Sequence, residues 1–215
     1  MAAIKLNMTQ LIATSRNRRE KIISYKFKAT ESEIFDALNE IAKRIVEGDG
    51  KSYQETAEFT GNLKLVSKWL TDTTTKIGLL LGGTFGNGKT VTLRAIRELM
   101  RQCVLIPENK KIWYHGNLLY KAKELVEDVD KMEKAKKEVW LLIDELGEEP
   151  TVVKTWGNST TPIIELLEYR YENDLPTIVT TNLNGAELEQ KYRARVKDRM
   201  NEMYNHCIYR EKSFR

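Results

Sequence analysis

The sequence predicts an α/β fold, in which a parallel β-sheet of five strands is flanked by helices and preceded by a short helical appendage. Three observations lead to this prediction. Short apolar runs alternate with helical stretches, a glycine-rich segment joins the first run to a helix, and residues 1–50 follow a different pattern from the rest. Apolar strands that alternate with helices are typical of a parallel sheet covered on both faces.

Composition narrows the class of protein further. The 215 residues are 41% hydrophobic and 31% charged, as in an ordinary globular domain. We expect a cytoplasmic protein without membrane association, because no apolar run is long enough to span a bilayer and no secretory signal is recognisable. The two cysteines lack histidines at metal-binding spacing, so no zinc site is predicted. The net charge of +4 permits contact with nucleic acid but does not require it.

Residues 1–50 predict a helical appendage. A basic stretch over Asn7–Lys28 precedes Thr30 and Glu33, whose spacing is that of a capping box at a helix start. Apolar residues then recur at helical spacing, and Gly48-Asp49-Gly50 ends the helix. The segment has too little apolar material to fold firmly alone, and we interpret it as a candidate partner-binding segment.

Residues 51–215 predict the main domain. Its predicted strands are Ile77–Leu81, Ile112–Tyr114, Val139–Ile143, Thr177–Thr181 and, more weakly, Cys207–Tyr209. The predicted helices are Leu63–Leu70, Thr90–Arg101, Asn117–Val129, Thr161–Asn173 and Gly185–Met203.

The glycine-rich segment after the first strand reads Gly83-Thr84-Phe85-Gly86-Asn87-Gly88-Lys89-Thr90 and fits the phosphate-binding loop, or Walker A motif. Its glycines let the backbone curl around phosphates with the N–H groups pointing inward. Lys89 would reach the β and γ phosphates, and the Thr90 hydroxyl would ligate Mg²⁺. The helix that begins near Lys89 directs its positive end at the same anions. The segment therefore predicts a site for ATP.

An acidic pair ends the third predicted strand. Asp144 and Glu145 follow the apolar run Val139–Ile143, which is a Walker B pattern. We predict that Asp144 helps to hold Mg²⁺ and that Glu145 polarises the water that attacks the γ-phosphate. The alternative, two solvated carboxylates at a strand end, loses weight because the phosphate-binding loop lies upstream.

Three polar residues further along are candidates for catalysis. Asn182 closes the fourth strand, beside the acidic strand, where its amide could bond the attacking water or the γ-phosphate. The alternative for Asn182 is a turn-forming residue. Arg195 and Arg199 are four residues apart and share a helix face, which could also be a solvated basic surface.

Four stretches together resemble the DnaC/DnaI-type helicase loaders and the related IstB-type transposition helpers. They are GGTFGNGKT, LLIDELGEEP, TIVTTNL and RVKDRM, followed by a final SFR. The order and spacing match from roughly Lys64 to the end. The first motif is shared by many ATPases, whereas the later three are more selective.

This resemblance implies an AAA+ fold with sheet order 5-1-4-3-2. It also implies that Arg195 or Arg199 is the arginine finger that completes a neighbouring subunit's ATP site. Arg215 falls where the family has its sensor 2 arginine. ATP sites shared between subunits imply a homo-oligomer that forms on ATP binding.

The resemblance leads to the hypothesis of an ATPase that loads a replicative hexameric helicase onto single-stranded DNA. Tyr120, Lys121 and Lys123 are candidate DNA contacts, although interleaved acidic residues also fit a solvated helical hairpin. Two alternatives stay open: a transposition helper, which the motifs of the ATPase core do not separate from a loader, and an ATP-gated assembly adaptor with little turnover.

Overall fold

The computed structural model describes residues 25–103, 117–155 and 158–210. Three predictions lie outside these ranges: the strand at Ile112–Tyr114, most of the basic stretch over Asn7–Lys28, and the placement of Arg215.

Seven helices and seven strands are present within the described residues. The helices are α1 (Glu31–Gly48), α2 (Ala57–Thr71), α3 (Lys89–Cys103), α4 (Ala122–Glu127), α5 (Val129–Lys137), α6 (Pro162–Glu172) and α7 (Gly185–Met203). The strands are β1 (Gly78–Gly83), β2 (Asn117–Lys121), β3 (Trp140–Leu146), β4 (Val153–Thr155), β5 (Asn158–Thr160), β6 (Thr177–Thr181) and β7 (Tyr204–Tyr209).

Five of the strands form one sheet in the order β2-β3-β6-β1-β7, and each neighbouring pair is parallel. The numbering differs from the predicted order because β4 and β5 form a separate antiparallel hairpin that we did not predict. With that hairpin set aside, the sheet reads 5-1-4-3-2 from the β7 edge. The arrangement brings the carboxyl ends of β1, β3 and β6 together.

The second strand corrects the prediction. A helix was expected from Asn117, but Asn117–Lys121 instead forms β2 in register with the first five residues of β3. Pairing with the exposed edge of β3 outweighs the helical periodicity of this short segment. The helical part begins at Ala122 and is split at Asp128, whose side chain caps α5 by accepting the N–H of Lys131.

Helix α1 begins as predicted. The Thr30 hydroxyl accepts the N–H of Glu33, and the Glu33 carboxylate accepts the N–H of Thr30, which completes the capping box. The helix packs against α2 and α3, and its buried residues Ile34 and Leu38 belong to the core shared with the sheet. The division at residue 50 therefore remains a proposal about function, since α1 adds to the same core.

Two layers of helices cover the sheet. The layer of α1, α2 and α3 encloses one core, in which the rings of Trp69 and Trp140 meet edge to face at 6.0 Å. The layer of α4 to α7 encloses the other core. Both tryptophans are 2% exposed, so they serve packing. Within the described ranges, no helix has the length and apolar character needed to cross a bilayer.

Candidate nucleotide-binding site

A cavity of about 420 Å³ lies at the carboxyl ends of β1, β3 and β6. This is the edge at which α/β sheets bind ligands. Its lining comprises Val46, Lys51, Ser52, Gln54, residues 85–91, Glu145, Thr180 and Asn182. The cavity therefore combines the predicted phosphate-binding loop with Glu145 of the acidic strand and with Asn182.

The phosphate-binding loop is anchored to the last strand. Gly83 has a φ of +137°, and a Cβ added there would lie 2.1 Å from the carbonyl oxygen of Tyr209. The Asn87 side chain is buried and donates to the same carbonyl at 3.1 Å. The loop thus lies against β7 at Gly83 and at Asn87, and α3 begins at Lys89 as predicted.

Lys89 lies inside this loop. Its ammonium donates to the carbonyl oxygens of Gly83, at 2.7 Å, and Thr84, and to Asn87 Oδ1 at 3.1 Å. Burial lowers the pKa of Lys89 to about 8, although the nearby Asp144 carboxylate opposes that shift. The ammonium is therefore held among oxygen acceptors at the mouth of a helix, where it can exchange them for phosphate oxygens.

Asp144 is held by two hydroxyl groups. The hydroxyls of Thr180, at 2.5 Å, and Thr90, at 3.1 Å, both donate to Asp144 Oδ1. Thr180 stands on β6 beside β3, and its hydroxyl also accepts the N–H of Glu145 at 2.9 Å. One side chain that sequence reasoning did not assign to the site therefore positions both acidic residues. Only the pairing of β3 with β6 could have revealed it.

Glu145 has an unusual backbone conformation. Its φ of 58° lies in the left-handed region, which is sparsely populated by residues other than glycine. The carboxylate pairs with the ammonium of Lys121 at 2.9 Å, and both side chains are about half exposed. The pKa of Lys121 is raised by this hydrogen bond and by the charge of Glu145. Lys121, predicted as a DNA contact, is thus paired with Glu145, the residue predicted to polarise the attacking water.

The predicted contact Lys123 and most lysines of α5 are charge-compensated. Lys123, Lys131, Lys136 and Lys137 each lie within 3.7 Å of a carboxylate on α4 or α5. This pattern favours the solvated helical hairpin for α4 and α5.

Sequence reasoning also missed the far side of the cavity. Val46 at the end of α1, together with Ser52 and Gln54 in the connection to α2, also lines the cavity. A smaller adjoining pocket is lined by Tyr53 and Phe59. These residues carry no motif, and only the packing of α1 against α3 brings them to the cavity.

Arg195 and Arg199 do not line the cavity of their own chain. Both contact Glu168 on α6, at 3.4 Å and 3.2 Å respectively, which confirms that they share a helix face. Arg199 is 17% exposed and lies 4.9 Å from the ring centroid of Tyr171, whereas Arg195 is 71% exposed. Of the two, Arg195 is thus the more exposed side chain.

The residues at the acidic strand fit Mg²⁺. Thr90 Oγ1 and Asp144 Oδ1 share a hydrogen bond beside the loop, and hydroxyl and carboxylate oxygens are ligands that Mg²⁺ prefers. Among the described residues, no group of three or more His, Cys, Asp and Glu could hold a metal ion alone. Thr90 and Asp144 would therefore hold Mg²⁺ together with oxygens of phosphate and water, as is usual at nucleotide sites.

No protein-family model and no curated protein matches the sequence. Solved structures do match. The DnaC helicase loader is 20% identical, with a TM-score of 0.53 over 73% of this chain and 93% of that chain. DnaI is 22% identical, with a TM-score of 0.53 over 85% of this chain and 95% of that chain.

The chain has the fold of the AAA+ ATPases. The resemblance that the four motifs indicated is thereby confirmed at the level of the fold.

Proposed function

We propose that this chain binds ATP with Mg²⁺, hydrolyses it, and uses the cycle to load a replicative hexameric helicase onto single-stranded DNA. The observation that carries the ATPase part is the cavity that Lys89, Glu145 and Asn182 share, with Asp144 bonded to two of its lining residues, Thr90 and Thr180. The helicase part rests on the four motifs and on the likeness to a helicase loader.

The residues of the Walker A and Walker B motifs and Asn182 each have a role in this proposal. The loop Gly83–Thr90 binds the phosphates through its backbone N–H groups, with Lys89 as the charged partner. Bound Mg²⁺ supplies positive charge to the phosphates, and Thr90 and Asp144 hold it. Glu145 accepts a proton from the attacking water, and Asn182 orients that water.

The catalytic arginine comes from a second copy of the chain. The exposure of Arg195 and its position outside the cavity of its own subunit support a role in trans. Arg199 is packed against Tyr171 and supports Arg195 by sharing Glu168. Arg215 remains the proposed sensor 2 arginine. This arrangement requires a homo-oligomer that forms on ATP binding.

Residues 1–50 are the proposed segment for contact with the helicase, and residues 51–215 the ATPase domain. A transposition helper remains a second candidate, because the motifs of the ATPase core are common to both classes. An ATP-gated adaptor is less favoured, because the complete set of Lys89, Asp144 and Glu145 is the set that turnover requires.

The first experiment measures steady-state ATP hydrolysis with and without single-stranded DNA, with Lys89→Ala as the blank. We expect the wild-type chain to hydrolyse ATP at a rate that single-stranded DNA changes. Glu145→Gln should still bind ATP but should not hydrolyse it. Copurification with a hexameric helicase would then separate a loader from a transposition helper, which would copurify with a recombinase. Nucleotide binding without turnover, indifferent to DNA, would contradict the proposal and favour the adaptor.

The two arginines allow a sharper test. Arg195→Ala should lower turnover by about 100-fold or more, because an arginine supplied in trans contributes at least that much in related chemistry. Its thermal stability should stay at the wild-type value, since the side chain is exposed. Arg199→Ala should lower the melting temperature and reduce turnover less. The opposite ranking of the two turnover rates would assign the finger to Arg199.

A further inference from the structure

The loop that follows the acidic pair contains a buried carboxylate that the proposed chemistry does not use. The Glu149 side chain is fully buried, five residues beyond Asp144. Buried carboxylates are costly unless hydrogen-bonded or paired. Its partners therefore indicate what the residue holds together.

One carboxylate oxygen of Glu149 closes its own loop, and the other reaches a distant helix. Oε2 accepts the N–H of Gly147 at 2.8 Å. Oε1 accepts the hydroxyl of Tyr192 on α7, and the ammonium of Lys191 lies 3.9 Å from the same oxygen. The Lys191 ammonium also donates to the carbonyl oxygen of Glu149. Glu149 is thus bonded to two consecutive residues of α7.

Those two residues immediately precede a break in α7. Arg193 has φ 71° and ψ 154°. These angles are not helical, and they are strained for any residue other than glycine. Such a conformation persists only where the surroundings over-determine it. On the N-terminal side of the break, Tyr192 is buried and bonded to Glu149. On the other side, Val196 and Met200 are buried in the core.

The break sets the direction of the second half of α7, which carries Arg195. The other end of the loop is held by β6, because the Thr181 hydroxyl donates to the carbonyl oxygen of Leu146 at 2.6 Å and Thr180 binds Glu145. One continuous chain of contacts therefore runs from the acidic pair, through Glu149 and Tyr192, to the helix segment that presents Arg195.

We propose that Glu149 is a positioning residue that couples the acidic loop of each subunit's ATP site to the direction of the arginine that the same subunit supplies to its neighbour. The inference rests on the proposed function, in which Arg195 acts in trans. Glu149 itself touches no reacting atom, and it acts through Tyr192 and the break at Arg193.

The test is a complementation assay with two inactive variants. A donor chain with Glu145→Gln keeps Arg195 but has no turnover of its own. An acceptor chain with Arg195→Ala keeps its ATP site but lacks the finger. Mixed in equal amounts, the two should recover turnover at the interfaces where a donor arginine meets an acceptor site.

Glu149→Gln is then added to one chain at a time. Placed in the donor, it should lower the recovered turnover by about tenfold or more, because a misplacement of about 1 Å can cost ~100-fold. Placed in the acceptor, it should have a much smaller effect, because Thr180 holds Asp144 and Glu145 there. Tyr192→Phe in the donor should act in the same direction. Glu189→Gln in the donor, an exposed glutamate on the same helix, is the matched control and should have no effect.

The outcomes distinguish the role of Glu149 from the action of Arg195 in trans. Complementation that is insensitive to Glu149→Gln in the donor, or equally sensitive in both chains, would overturn the role of Glu149 and leave the trans arginine intact. A complete absence of complementation would overturn the trans arrangement and the inference with it. Thermal unfolding of each variant checks folding. If donor Glu149→Gln is unstable, donor Tyr192→Phe, which retains the buried ring, decides the question.

Discussion

The two ends of the parallel sheet hold their charged side chains in opposite ways. At the amino end, the guanidinium of Arg170 is fully buried, and the hydrogen bonds that it donates are short. It donates at 2.7–2.8 Å to Thr177 Oγ1 and to the carbonyl oxygens of Ala135, Glu138, Val139 and Pro176. At the carboxyl end, the Lys89 ammonium donates to oxygens of its own loop, and the Glu145 carboxylate pairs with the exposed Lys121. A ligand can replace each of these partners.

The difference shows which charges serve stability and which serve chemistry. Arg170 joins α5, β3 and β6 through buried acceptors of the protein itself, and burial lowers its pKa only to about 10, so it stays protonated at neutral pH. Lys89 and Glu145 at the carboxyl end face a cavity, in which a bound ligand can take the place of their present partners. Substitutions at the two ends should therefore affect different measurements.

The largest expected effect on folding is at the amino end. Arg170→Met should lower the free energy of unfolding by about 3 kcal/mol or more, because several buried carbonyl oxygens lose their donor. In a domain of this size, that lowers the melting temperature by roughly 6–12 °C. Thermal unfolding followed by circular dichroism measures the change.

Arg44→Met is the matched control for Arg170. Arg44 is 74% exposed and pairs with Glu40 one turn away on α1, a contact that contributes little to stability. If Arg170→Met lowers the melting temperature no more than Arg44→Met does, the contrast between the two ends of the sheet is wrong.

The carboxyl end could be predicted from the sequence because its chemistry depends on local order. The loop Gly83–Thr90 and the pair Asp144 and Glu145 each lie within one strand-to-loop segment, so residue spacing alone indicates their roles. The alternation of strands and helices also predicted the sheet. The structure confirms the fold and brings most of the loop, Glu145 and Asn182 to one cavity, with Asp144 bonded to Thr90 beside it.

The remaining features depend on which helices and strands pack together, and the spacing of residues along the sequence does not show this. Arg170 reads as one charge on an amphipathic helix, and its burial follows from the meeting of α5, α6 and the starts of β3 and β6. Thr180 acquires its role from the pairing of β6 with β3. Segment 117–121 was predicted as helix because the free edge of β3, to which it pairs, is not visible in its own sequence.

A smaller effect is expected at the carboxyl end from Lys121→Met. The ammonium of Lys121 competes for the Glu145 carboxylate, so its removal should raise basal ATP turnover. The increase should be no more than about fivefold, because a half-exposed ion pair contributes at most about 1 kcal/mol. Steady-state hydrolysis at saturating ATP measures it, and the melting temperature should stay at the wild-type value.

Lys123→Met provides the comparison for Lys121. Lys123 also pairs with a carboxylate, that of Glu127 at 3.7 Å, but that carboxylate lies on α4. Its substitution should leave turnover unchanged. A fall in turnover for Lys121→Met would show instead that the ion pair holds Glu145 in its productive position.

The smallest effect concerns Lys26, a second buried cation near the amino end. Its ammonium donates to the carbonyl oxygen of Trp69 and to Thr75 Oγ1, and lies 4.5 Å from the Trp69 ring centroid. Burial lowers the pKa of Lys26 to about 7, against a smaller opposing effect of Asp72. Unlike Arg170, this cation is therefore close to losing its proton at neutral pH.

The sign of the effect follows from proton binding. Between the lowered pKa and the ordinary lysine value, the unfolded chain binds more protons than the folded chain, so Lys26 makes stability rise with pH in that window. From pH 7 to pH 8 the rise should be about 1 kcal/mol relative to Lys26→Met, whose side chain cannot titrate. Urea unfolding of both proteins across pH 6.5–8.5 measures this difference. Parallel stability curves would mean that Lys26 keeps its proton as firmly as Arg170 does, and that both cations at this end are held charged by their acceptors.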